Sequence, residues 1–155
     1  MTPAIRFLEQ HKAIFTLHQY DCTAQDDFGA HAAGQLGVPP ARVFKTLLTE
    51  GEQGAVVALV PSSGKVNLKR LAKAAGVKKL DMMPPQKAER LTGYKVGGIS
   101  PFAQKKRLPT VLDASALEHD SVLVSGGKRG LSVGLAAEVI AGLLQARIAD
   151  IAEHD

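Results

Sequence analysis

The run Ala55-Val56-Val57-Ala58-Leu59-Val60 constrains the fold more than any other stretch of the chain. A strand with one wet face alternates apolar and polar residues, whereas an unbroken apolar run suits a strand covered on both faces. This chain must therefore place layers on either side of a central strand. Val43–Thr49 reads as a second strand, joined to the first by a turn at Gly51–Gly54. The elements that follow mix helices and strands without a regular βαβ rhythm. That favours an α+β domain, a mixed β-sheet with packed helices, over a doubly wound fold. A chain of 155 residues suits one domain with a proper core, spanning 1–155.

The remaining elements follow from caps and breakers. Thr2-Pro3 starts a helix, with Thr as N-cap and Pro at the first helical position, and Ile5, Leu8 and His11 share one face. Phe15–Tyr20 alternates as a strand. Asp26-Asp27 can cap a helix running to about Leu36, which Gly37 ends. Asn67 begins a basic amphipathic helix with Leu68, Leu71, Ala72 and Ala75 inward, and Gly76 stops it. Lys78–Met82 reads as a short strand, and Pro84-Pro85 opens a helix through Leu91. Thr110–Asp113, Ser121–Val124 and Leu131–Leu135 read as strands, Ala136–Leu144 as a helix and Arg147–Ile151 as a last short strand.

Charge is segregated. Residues 65–107 hold twelve Lys or Arg against only Asp81 and Glu89, while both flanking segments are net acidic. A basic middle suits a polyanion such as nucleic acid; solvated lysines on helices are the other reading. Arg6 and Glu9 fall within the first ten residues, unlike a signal peptide, and no apolar run reaches membrane-spanning length. A lone cysteine, Cys22, allows neither an internal disulfide nor a Cys-based zinc cluster. The five histidines lack metal-ligand spacing. A cytoplasmic protein with no membrane contact, metal or cofactor is the simplest expectation.

Two glycine-rich stretches could form a site. Gly93-Tyr94-Lys95-Val96-Gly97-Gly98-Ile99-Ser100-Pro101 combines residues that tolerate positive φ with a stiffening Ser-Pro pair. It reads as an exposed, rigid loop able to hold backbone N–H and C=O groups around a ligand. Ser125-Gly126-Gly127-Lys128-Arg129-Gly130 is similar in make-up, but lacks the order of a phosphate-binding P-loop. Gly97-Gly98 has no third glycine at dinucleotide-fingerprint spacing. No histidine stands in a motif that would activate Cys22. Lys45 interrupts the apolar strand Val43-Phe44-Lys45-Thr46-Leu47-Leu48, sharing a face with Val43 and Leu47. Spacing favours a lysine snorkelling at a strand edge; one held in a pocket would need a functional reason.

Taken in order, Thr2-Pro3-Ala4, Tyr20-Asp21, Asp27-Phe28-Gly29, Phe44-Lys45-Thr46-Leu47, the Gly93–Pro101 stretch and Val124–Gly130 resemble the YbaK/EbsC family nearly end to end. The resemblance implies a stand-alone deacylase that hydrolyses mischarged Cys-tRNA(Pro) and also Cys-tRNA(Cys). It also implies a relation to the editing domain of bacterial prolyl-tRNA synthetases, with tRNA(Pro), tRNA(Cys) and prolyl-tRNA synthetase as partners. In such enzymes the thiol of the esterified cysteine attacks its own carbonyl, so the protein needs no nucleophile. Carried over by position, Lys45 would hold the terminal nucleotide or its phosphate, Gly97 would present backbone groups to the aminoacyl end, and Ser125 would line the opposite side. Tyr20, Phe28 and Thr46 would shape the pocket, and Gly98, Ile99 and Ser100 would complete the substrate-binding loop. Gly97→Ala is expected to harm activity while sparing the fold. Rival readings are a deacylase for Ala-tRNA(Pro) and a non-catalytic tRNA- or synthetase-binding module.

Overall fold

A computed structural model describes residues 1–21 and 28–154. In chain order its regular elements are α1 (Pro3–Gln10), β1 (Thr16–Gln19), α2 (Phe28–Leu36), β2 (Phe44–Gly51), β3 (Gly54–Pro61) and β4 (Gly64–Val66). Then follow α3 (Leu68–Ala75), β5 (Asp81–Met82), α4 (Pro85–Thr92), β6 (Thr110–Asp113) and β7 (Val122–Ser125). The last are β8 (Leu131–Leu135), α5 (Ala137–Leu144), β9 (Arg147–Ala149) and β10 (Ala152–His154). The expected α+β class holds, and the large sheet is mixed. Its order is β5-β2-β3-β6-β9, with β2 antiparallel to β3 and β5, and β3–β6 and β6–β9 parallel.

β3 is covered on both faces, as its composition requires. Val56, Ala58 and Val60 point into one core with Leu71, Ala72, Val111 and Ile151. Leu59 points the opposite way, against Phe44, Phe102 and Leu112, and Val57 meets Leu48, Met83 and Ala88. Burying each such aliphatic side chain is worth roughly 1.5–3 kcal/mol. α3 covers the first of these faces. Asn67 caps it by accepting from the Arg70 N–H at 2.9 Å, and Gly76 ends it with φ +74°.

A second sheet, β1-β8-β7, is wholly antiparallel and touches the first through a bridge between Val43 and Leu123. β8 is its middle strand and is buried throughout. β1 lies at its edge, so the alternation expected there leaves Leu17 51% exposed. α1 starts as expected, with Thr2 Oγ1 accepting from the Ile5 N–H at 3.2 Å. Ile5 and Leu8 are buried, but His11 is not on their inward face: it is exposed beyond the helix end, its Nδ1 2.8 Å from Phe7 O. The cap expected at Asp26-Asp27 lies outside the described residues.

The last strand differs most from expectation. Arg147–Ile151 is not one strand: β9 stops at Ala149, and β10 restarts at Ala152 to pair with β4. The cause is Asp113, which is 1% exposed. Its Oδ1 accepts from the N–H groups of Ile151 (2.9 Å) and Ala152 (3.0 Å), drawing the backbone out of the parallel ladder. Lys78–Met82 likewise contracts to the two residues of β5.

Candidate functional site: a cavity along the free edge of β2

β2 is paired along its whole length on the β3 side only. On its other side, β5 pairs with Thr49 and Glu50, and Val43 bridges to β7. Leu48 C=O accepts from Met83 N–H at 3.1 Å, so even-numbered residues of β2 direct their backbone groups away from β3. Thr46 therefore turns its N–H and C=O toward the open side. A cavity of about 470 Å³ lies there, within the range of small-molecule sites.

The cavity gathers many of the residues singled out in the sequence. Tyr20, Lys45, Thr46, Gly97, Ile99 and Ser125 all line it. Lys45 is partly buried, lines the cavity and makes no ion pair among the described residues. Among the described residues it is the one charged side chain in the wall, and no Asp, Glu, His or Cys lines it. Thr46 contributes wall area, but its Oγ1 is sealed from solvent and has no hydrogen-bond partner.

Gly98 and Ser100 sit behind the wall. A Cβ on Gly98 would come within 2.7 Å of Lys128 Cα, so this glycine permits the two loops to touch. Ser100 is fully buried, and its Oγ accepts from the Phe102 N–H at 3.2 Å, which makes it part of the loop's frame. The side chain of Phe28 lies outside what the structure describes. Residues the sequence reading missed include Ser132, Met82, Met83 and Val96, which also line the cavity. Ser132 did carry a signal of the same kind as Lys45: a polar residue between Leu131 and Val133 in an apolar strand.

The glycine stretch at 93–101 is not the exposed loop expected. Tyr94, Gly98, Ser100 and Pro101 are buried, and the segment is braced from several sides. Tyr94 donates its hydroxyl hydrogen to Phe102 C=O at 2.5 Å, and burial pushes its pKa up to about 12. The Val96 N–H donates to Glu89 Oε2 at 2.8 Å, tying the loop to α4. Arg129 Nε donates to Val96 C=O at 3.0 Å, and Ser125 Oγ accepts from the Gly127 N–H at 3.1 Å. Gly97, with φ +89°, and Gly127, with φ +107°, hold conformations that L side chains rarely adopt. Residues of both loops, Gly97 and Ile99 from the first and Ser125 from the second, line the one cavity, and the loops lean on each other.

Asp113, Asp150 and His154 form the one group of potential metal ligands among the described residues. Asp113 is already occupied: besides two backbone N–H groups on Oδ1, its Oδ2 accepts from Ser115 N–H and Oγ. That carboxylate reads as a clamp on the chain's last strands.

The fold and this cavity define the class: the chain belongs to the aminoacyl-tRNA editing domain family, whose pattern matches residues 26–143. A protein of Enterococcus faecalis named "Putative Cys-tRNA(Pro)/Cys-tRNA(Cys) deacylase EbsC" is 40% identical over 152 residues, covering 97% of this chain and 92% of that one. Proline–tRNA ligase of Acidithiobacillus ferrooxidans is 30% identical over 88 residues, 57% of this chain but 15% of the ligase. The solved structure of "a putative trans-editing enzyme for prolyl tRNA synthetase" superimposes with TM-score 0.84 at 24% identity, over 99% of both chains. That likeness shows the shared fold.

Proposed function

We propose that this chain is a trans-editing deacylase that hydrolyses the ester of mischarged Cys-tRNA(Pro), and also acts on Cys-tRNA(Cys). The observation that carries the reading is the cavity wall: one cation, hydroxyls and unpaired backbone edge, with no acid, histidine or cysteine among the described residues. Such a wall can position a substrate and stabilise charge, and its described residues offer no activated nucleophile. A substrate that brings its nucleophile fits it. The name of the Enterococcus relative supports cysteinyl esters. The match to part of a proline–tRNA ligase supports prolyl-tRNA synthetase as the enzyme whose errors are cleared and as a partner.

In the proposed reaction the substrate thiol gives up its proton and its sulfur attacks the ester carbonyl carbon. The bond from that carbon to the ribose oxygen of the terminal adenosine breaks, and the leaving oxygen takes up a proton. Free tRNA and a cyclic thiolactone result, and water opens the latter. Lys45 holds the terminal nucleotide and favours the negative charge that develops on sulfur and on the carbonyl oxygen. Gly97 presents backbone groups to the aminoacyl end, Ser125 closes the opposite side, and Tyr20, Phe28, Thr46 and Ile99 shape the space, with Gly98 and Ser100 holding the loop. A second, thiol-dependent site resolves a discrimination that size alone cannot, because one small apolar difference is worth only about 1–3 kcal/mol in a pocket.

The test is release of amino acid from Cys-tRNA(Pro) and Ala-tRNA(Pro) by the unmodified chain and by Lys45→Ala. The expected result is cleavage of the cysteinyl ester, reduced about 10²-fold in Lys45→Ala. Cleavage of the alanyl ester alone would move the substrate to alanine. No cleavage of either would contradict the enzyme reading.

A further inference from the structure

Ser132 belongs to no role assigned above, and it is the most conspicuous polar group left in the cavity. It lies in β8, the middle strand of the second sheet, and is 4% exposed, yet it lines the cavity. No side-chain hydrogen bond engages its hydroxyl among the described residues, and it is not one of the solvent-sealed polar atoms. The register sets its direction. Ser132 is paired with Ser125 on one side and His18 on the other. The Gly126 N–H donates to Leu131 C=O at 2.8 Å, which leaves Ser125 and Ser132 as the close, non-hydrogen-bonded kind of pair, with Cα atoms about 4.5 Å apart. The two hydroxyls therefore stand side by side on one face of the sheet.

An aminoacyl ester brings acceptors at its carbonyl and one strong donor, the α-amino group. On the β2 side the cavity offers Lys45 and the backbone N–H and C=O of Thr46; on the facing sheet its polar groups are the hydroxyls of Ser125 and Ser132. No carboxylate lines it among the described residues. Ser125 Oγ already accepts from the Gly127 N–H, and Thr46 Oγ1 is sealed from solvent. Ser132 is the remaining serine or threonine whose side chain lines the cavity, and a hydroxyl can accept as well as donate. We infer that the hydroxyl of Ser132 accepts a hydrogen bond from the α-amino group of the esterified amino acid and so fixes the orientation of the aminoacyl end. The inference rests on the deacylase reading above.

The test pairs two substrates on a tRNA acceptor-stem minihelix: the cysteinyl ester, and the 3-mercaptopropionyl ester, which keeps the thiol and lacks the amino group. Each is given to the unmodified chain, Ser132→Ala and Ser132→Thr. Expected are about a tenfold loss of kcat/KM for the cysteinyl ester in Ser132→Ala, recovery in Ser132→Thr, and a change below twofold for the mercaptopropionyl ester in either variant. Equal losses on both esters, or no loss on either, would overturn the assignment while leaving the deacylase reading intact. Failure of the unmodified chain to cleave either ester would instead sink that reading, and this inference with it.

Discussion

Thr46 shows how one residue can line a site without offering its polar atom. Its Oγ1 is buried and unpartnered, while its backbone N–H and C=O face the cavity side of β2. Replacing the hydroxyl by a methyl group removes an unsatisfied polar atom and keeps the branched shape. Thr46→Val should therefore raise stability to denaturant by about 1 kcal/mol, with deacylation within about threefold of the unmodified chain. Urea titration and an initial-rate assay check the two halves. A large loss of activity with unchanged stability would show that the hydroxyl reaches substrate. At this scale the sequence was readable where a residue conflicts with its neighbours. Lys45 stands out in an apolar strand and does line the cavity. Ser132 conflicts in the same way, but a serine in a strand is common, and its place in the wall depends on Ser125 lying opposite across a hairpin. Ser100 looked like a loop residue available to ligand, yet its environment is set by Phe102 and by Gln104, whose Nε2 donates to Ser100 C=O at 3.0 Å.

The two glycine loops act as one element. Gly98 lies against the Lys128 backbone, Arg129 bonds to Val96, and Gly127 packs on Thr2 and Tyr94. A methyl group at Gly98 must push the loops apart, because what it meets is main chain. Gly98→Ala should cost about 1–3 kcal/mol of stability and lower activity, although the residue touches no ligand. Gly97→Ala meets a different obstacle, the φ of +89°, and should cost about 1–2 kcal/mol while distorting the wall itself. Comparing thermal midpoints with kcat/KM for both variants checks this: unchanged values for Gly98→Ala would mean that the loops are not braced as described. Elements with strong local signals were legible in the sequence, such as β3, α1 with its Thr-Pro start, and α3 between Asn67 and Gly76. The split of β9 from β10 was not, because its cause is a carboxylate 38 residues away from Ile151 along the chain. β4 was missed for the same reason, since three residues become a strand only through pairing with β10.

For the whole molecule, charge segregation survives folding. All twelve basic side chains of residues 65–107 are exposed, and among the described residues only Lys87, with Glu50, and Arg70, with Asp150, pair with a carboxylate. The fold thus leaves a largely unneutralised basic surface in the same chain as a cavity suited to an aminoacyl end. Phosphate contacts of this kind give affinity without reading sequence and weaken as counterions compete. Deacylation of full-length Cys-tRNA(Pro) at subsaturating enzyme should fall at least about tenfold between 50 and 200 mM salt, while cleavage of cysteinyl-adenosine changes little. Equal salt dependence for both would remove the basic surface from tRNA binding. The central claim is that the protein supplies position and charge while the substrate supplies the nucleophile. Its most direct measurement compares cysteinyl and S-methylcysteinyl esters of the same tRNA(Pro). The account predicts rapid cleavage of the first and none of the second above the uncatalysed rate; comparable rates for the two would contradict it.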